Sequence, residues 1–115
     1  MDDERRKLRR KYLAFFTRVF DRSTGQLLGH LADLTPKGMM LISEKPLQTE
    51  IVYNLQMDLS GTFFEKERLD FQADSIWCRP DIDPAFYNTG FRLLKMSQED
   101  IDIVQRIIKE YGIRD

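Results

Sequence analysis

Cysteine and histidine each occur once in the 115 residues, as Cys78 and His30. One cysteine excludes an internal disulfide and leaves no thiolate cluster for zinc. One histidine, set in an apolar stretch, fits a packed or surface imidazole better than a catalytic one. There is no nucleophile with a base and an orienting partner, no His/carboxylate cluster and no phosphate-cradling glycine loop, so we expect neither an enzyme nor a metal site. No apolar run approaches the roughly 18 residues that a membrane span requires, and the charged N-terminus is not followed by the apolar core of a signal peptide. The expectation is a cytoplasmic protein with no membrane insertion. Helix-turn-helix and RNP patterns are missing too, which argues against a polymeric nucleic acid as the partner.

Apolar residues make up 42% of the chain and charged ones 32%, a balance that belongs to folded soluble domains. At this length one domain with a genuine core is expected. The net charge is only −1, yet "ERRKLRRKY" at residues 4–12 crowds six cations around one anion. Residues 1–11 carry six basic and three acidic side chains, so the remainder is net negative. Such a basic arm suits an anionic partner, phosphate being the commonest.

Beyond the arm the pattern has the period of strands. "LAFFTRVFDR" and "QLLGHLADLT" flank "STG" as a first hairpin. "MMLIS" is a short apolar run, and in "IVYNLQMDL" Ile51, Tyr53, Leu55, Met57 and Leu59 alternate with polar neighbours and Val52. In "FFEKERLDFQADSIWCR" Leu69, Phe71 and Ala73 oppose Asp70, Gln72 and Asp74, which fits a hairpin or one long strand. "PDIDP" reads as a loop and "FYNTGFRLLKM" as a closing strand. Core or sheet packing is the expected role of Tyr12, Phe15, Phe16 and Trp77.

The end of the chain changes period. In "SQEDIDIVQRIIKEYG" Ile101, Val104, Ile108 and Tyr111 share a helical face, widened by Ile103 and Ile107. Ser97 is placed to cap the helix with Asp100 three residues on, and Gly112 to end it. The predicted fold class is mainly β: a six- to seven-stranded antiparallel β-barrel with one C-terminal α-helix, at 97–111, over one opening.

Two short motifs carry the chemistry. "RRKLRR" contains overlapping RxxxR matches, Arg5 with Arg9 and Arg6 with Arg10, just before the first strand. "DLTPKG", Asp33 to Gly38, is a turn after the second strand with an acceptor and a hydroxyl at its mouth. Together they resemble the PilZ domain, a bacterial cyclic di-GMP receptor family with an RxxxR motif followed by [D/N]xSxxG. Thr35 stands here in the serine place. "SIWCR", "NTGFRLL" and the terminal helix look like the family's later elements.

The resemblance implies a split PilZ barrel over residues 13–115 behind a flexible arm at 1–12. It also implies a nonenzymatic receptor for cyclic di-GMP. Its ligand set would be Arg6, Arg10, Asp33, Thr35 and Gly38, with Arg5, Arg9 and Lys11 as further possible contacts. The Arg6/Arg10 register is favoured because it puts Arg18 where family members commonly carry another arginine. The chemistry is coherent from below. A guanidinium fork satisfies O6 and N7 of guanine, and a carboxylate accepts from its N1–H and N2–H. The implied mechanism is an arm that orders on the nucleotide and shows a new surface to an effector protein, in a monomer or homodimer. The alternative is a PilZ-like interaction module that binds no nucleotide.

Overall fold

The computed structural model describes residues 17–59 and 66–111. Arg5, Arg6, Arg9, Arg10, Lys11, Tyr12, Phe15, Phe16 and Gly112 therefore lie outside the described residues. Within them the alternating segments form six strands: β1 (Arg18–Asp21), β2 (Leu27–Leu34), β3 (Gly38–Ser43), β4 (Val52–Asp58), β5 (Arg68–Pro80) and β6 (Tyr87–Leu93). One helix, α1 (Gln98–Tyr111), follows. All neighbouring strands are antiparallel, in the order β1-β2-β3-β6-β5-β4, and β4 pairs back onto β1 to close a barrel.

Alternation places one set of side chains inside. Val19, Leu31, Leu41, Leu55, Met57, Leu69 and Ala73 are essentially inaccessible, and burial of such side chains contributes roughly 1.5–3 kcal/mol each. The stretch expected as a hairpin or one long strand is a single strand from Arg68, thirteen residues long. In β4 the expected inner set holds for Leu55, Met57 and Leu59, while Val52 is half exposed.

Helix α1 packs through Ile103, Val104 and Ile107, which join the barrel core. This corrects the expected face, since Ile101 and Ile108 are only partly buried and flank the stripe. The Asp100 N–H donates to Ser97 Oγ at 3.2 Å, the expected cap. The Asp100 carboxylate accepts from Lys66 Nζ at 2.8 Å, which ties the helix start to the β4–β5 connection. That is the same barrel end that carries the β2–β3 turn.

Two irregularities govern the outer face. The β2–β3 register slips at Ala32 and the β5–β6 register at Ile76, each a β-bulge. A bulge reverses which face the following residues take. At Ala32 it sends Leu34 inward with Leu31 and turns Asp33 outward. At Ile76 it turns Trp77 outward, so the tryptophan expected in the core lies on the barrel surface, across Gly90. A Cβ at Gly90 would sit 2.3 Å from the indole, so only glycine admits the ring there.

Candidate functional site

The "DLTPKG" turn is knitted from its own groups. Thr35 N–H donates to the Gly38 carbonyl at 2.8 Å, and Thr35 Oγ1 accepts from the Gly38 N–H at 2.9 Å and the Lys37 N–H at 3.3 Å. Pro36 fits the second position of such a turn because its fixed φ matches it. The Leu93 N–H donates to the Lys37 carbonyl at 2.8 Å, pinning the turn to the end of β6. Gly38 has a structural reason of its own, because a Cβ there would come within 3.0 Å of the Phe91 carbonyl oxygen.

Asp33 is half-buried at the mouth of this turn, with Oδ1 accepting from the Leu34 N–H at 2.9 Å. The bulge makes it the first member of a row across the outer face: Asp33 opposite Met40, Met40 opposite Gly90, and Gly90 opposite Trp77. The Arg79 guanidinium lies 5.1 Å from the Trp77 ring centre, within cation–π range. The adjoining rows bring in further cations. On one side Arg18, His30, Ile42, Asn88 and Arg79 are successive cross-strand partners. On the other, Gly38 faces Arg92, whose Nη2 donates to Asp74 at 2.7 Å.

This is a shallow face with a carboxylate, an indole and several cations around a glycine floor. Such a face can stack a flat base on the indole, bond its donor edge and attract phosphate. Arg18 is neutralised by Asp58 at 2.7 Å and Arg92 by Asp74, whereas Arg79 has no carboxylate partner among the described residues.

Thr17, the first described residue, lies beside this face. The Leu31 N–H donates to the Thr17 carbonyl at 2.9 Å, so the chain joins the barrel two residues from Asp33. Arg10 lies seven positions before Thr17, a tether of at most about 25 Å. Of the residues proposed from sequence, Asp33, Thr35 and Gly38 come together in one turn, and the arm residues lie outside the described set. Sequence reasoning missed His30, Trp77, Arg79 and Arg92 as members of the outer surface that carries Asp33. Only strand register and the two bulges reveal them, and neither has a sequence signal here.

A second recess, lined by Lys66, Glu67, Arg68, Asp70 and Asp100, sits beside the start of α1. It is internally compensated: the hydrogen bond to Asp100 raises the Lys66 pKa above its ordinary value, and Asp70 pairs with Arg22 and Arg68. Among the described residues no group of His, Cys, Asp or Glu is placed to hold a metal, and no helix is long and apolar enough to cross a membrane.

Comparison with known proteins agrees with this geometry. No curated protein sequence matches the chain significantly. Three solved structures share the fold. The "PilZ domain with c-di-GMP of YcgR from Escherichia coli" aligns with a TM-score of 0.61 at 18% identity, over 85% of this chain and 83% of that one. YcgR in complex with c-di-GMP, also from Escherichia coli, aligns with a TM-score of 0.63 at 20% identity, over 84% of this chain and 40% of that one. The Bacillus subtilis inhibitor of motility (MotI/DgrA) aligns with a TM-score of 0.64 at 11% identity, over 85% and 48%. The chain thus spans less than half the length of the last two. The model of the PilZ domain matches residues 4–110, from the arm through the helix. The chain belongs to the PilZ domain family.

Proposed function

We propose that this chain is a cyclic di-GMP receptor domain, nonenzymatic and cytoplasmic, which orders its N-terminal arm on the nucleotide and presents the result to an effector protein. Arg6 and Arg10 would bind guanine and phosphate, with Arg5, Arg9 and Lys11 adding positive charge. Asp33 would accept from the N1–H and N2–H edge, while Thr35 and Gly38 hold the turn that aims it. The observation that supports this reading is the hydrogen bond from Leu31 to Thr17, which sets Thr17, seven positions after Arg10, beside the strand that carries Asp33. That leaves the RxxxR motif within reach of a residue more than twenty positions away in sequence.

The chemistry selects for guanine. A guanidinium fork matches the O6/N7 acceptor pair, and a carboxylate matches two donors that adenine lacks in that arrangement. Two solved neighbours are complexes with c-di-GMP, which supports the same ligand class for this chain. The engagement of the Thr35 hydroxyl within its own turn favours the second reading, an interaction module without nucleotide, because that group already has partners.

Calorimetric titration with cyclic di-GMP, cyclic di-AMP and GTP tests the proposal, with Trp77 emission as a second signal because it is the chain's one tryptophan. Cyclic di-GMP is expected to bind and the other two not. Equal affinity for both cyclic dinucleotides would overturn guanine selectivity, and no binding of any would establish the interaction module.

A further inference from the structure

His30 is the chain's one histidine and stands half-buried on the outer face of β2, one outward position before Asp33. The bulge at Ala32 puts both on that face, in adjoining cross-strand rows. Three residues of strand span about 10 Å at most, so a cyclic dinucleotide seated over Asp33 is wide enough to cover the imidazole. Among the described residues the charged groups around the ring are few. From β1 comes Arg18, bonded to Asp58 of β4, and beyond the end of β3 comes Glu44. Asp33 is the next outward side chain on its own strand. Burial, and then Arg18, lower the His30 pKa below 6.5, with Glu44 opposing them. A neutral imidazole beside a cation is poised to gain a proton when an anion arrives.

We propose that His30 is a proton-linked contact for the phosphate of the ligand: it takes up a proton as the nucleotide binds and donates a charged hydrogen bond to a phosphodiester oxygen. This rests on the receptor reading above and adds to it a residue and a pH dependence. If binding raises the proton affinity of His30, ligand affinity must rise as pH falls through the interval between the two values, tenfold for each unit of difference. Guanine and phosphodiesters do not titrate between pH 5.5 and 7. Histidine is the side chain whose ordinary pKa lies in that interval, and His30 is the chain's one histidine.

Calorimetry of the full chain with cyclic di-GMP across pH 5.5 to 7.0, in two buffers of different ionisation enthalpy, reads affinity and proton uptake together. The wild type is expected to take up a fraction of a proton and to bind at least about threefold tighter at the acidic end. His30→Gln should bind with neither uptake nor pH slope, and His30→Lys should hold the affinity of the acidic wild type at every pH. Binding by the wild type that ignores pH, or a slope that survives in His30→Gln, overturns the role of His30 and leaves the receptor reading intact. No binding at any pH overturns both.

Discussion

Thr35 illustrates how one side chain sets a turn. Its oxygen takes two backbone N–H groups and also donates to the Gly38 carbonyl at 3.3 Å. Thr35→Ser keeps all of this and should change stability by less than about 0.5 kcal/mol, whereas Thr35→Ala should cost about 1–2 kcal/mol by urea denaturation and weaken nucleotide binding through Asp33. Thr89 is the opposite case: it is fully buried, and its hydroxyl has no hydrogen-bond partner among the described residues. Thr89→Val removes that polar group at nearly constant volume, so the variant should be as stable as wild type or about 1 kcal/mol more so. A measured loss would mean that the hydroxyl is satisfied. In the arm, Arg10→Ala should cost about 2–3 kcal/mol of nucleotide binding with little effect on folding, and Arg10→Lys should fail too, because a point charge does not replace a bidentate fork. His30 adds a pH dependence to the empty protein. Its pKa in the fold lies below the ordinary 6.5, so below that value protons bind the unfolded chain more readily. Stability is thus full above about pH 6.5 and declines as pH falls through the folded value, a slope that His30→Gln should flatten in thermal melts at pH 5 to 8.

At the scale of elements, what the sequence shows and what it hides divide cleanly. Alternation in residues 51–59 and 69–73 identifies strands because the pleat has a period of two. The change of period at Ser97 identifies the helix and its cap. What alternation cannot show is where it slips. Ala32 and Ile76 are ordinary apolar residues, and only the paired strand reveals that each is an extra one. Hence Asp33 is legible as a motif residue but not as the far end of a row that leads to Trp77, whose aromatic ring reads from sequence as core. The pairing of β3 with β6 is equally silent, since it joins segments more than forty residues apart. Because Ile76 is the extra residue, deleting it should close the bulge and keep Trp77 outward opposite Gly90, and we expect that variant to keep cooperative unfolding with Trp77 emission close to wild type. Gly90→Ala tests the Trp77 contact directly: the indole must leave its floor, so Trp77 emission should shift and stability fall by about 1 kcal/mol. For the helix, Ser97→Ala removes the acceptor of the Asp100 N–H and should cost about 1 kcal/mol.

At the scale of the whole molecule, closure decides how a signal can leave. The barrel is closed, so every described strand has a neighbour on each side, and unpaired edge is confined to strand ends such as residues 77–80 of β5, which pair with β6 alone. The outer face and the segment attached to it offer a message the larger surface. That segment is the arm, whose six cations accompany two apolar residues, Met1 and Leu8, before Tyr12. Backbone ordering costs roughly 1–2 kcal/mol per residue, and on the receptor reading the ligand would supply what so little apolar surface does not. With the arm rooted at Thr17 beside Asp33, cyclic di-GMP would draw its arginines across the Asp33–Trp77 row and place Leu8 on the barrel surface, creating an epitope that the empty protein lacks. Hydrogen exchange measured with and without cyclic di-GMP follows this directly. Amides 1 to about 9 should exchange fast in the empty protein and slow on saturation, with the boundary near Arg10 and Lys11, while the barrel strands change little. An arm already protected when empty, or still unprotected at saturation, would show that the nucleotide does not act through this segment and would transfer the effector surface to the barrel face itself.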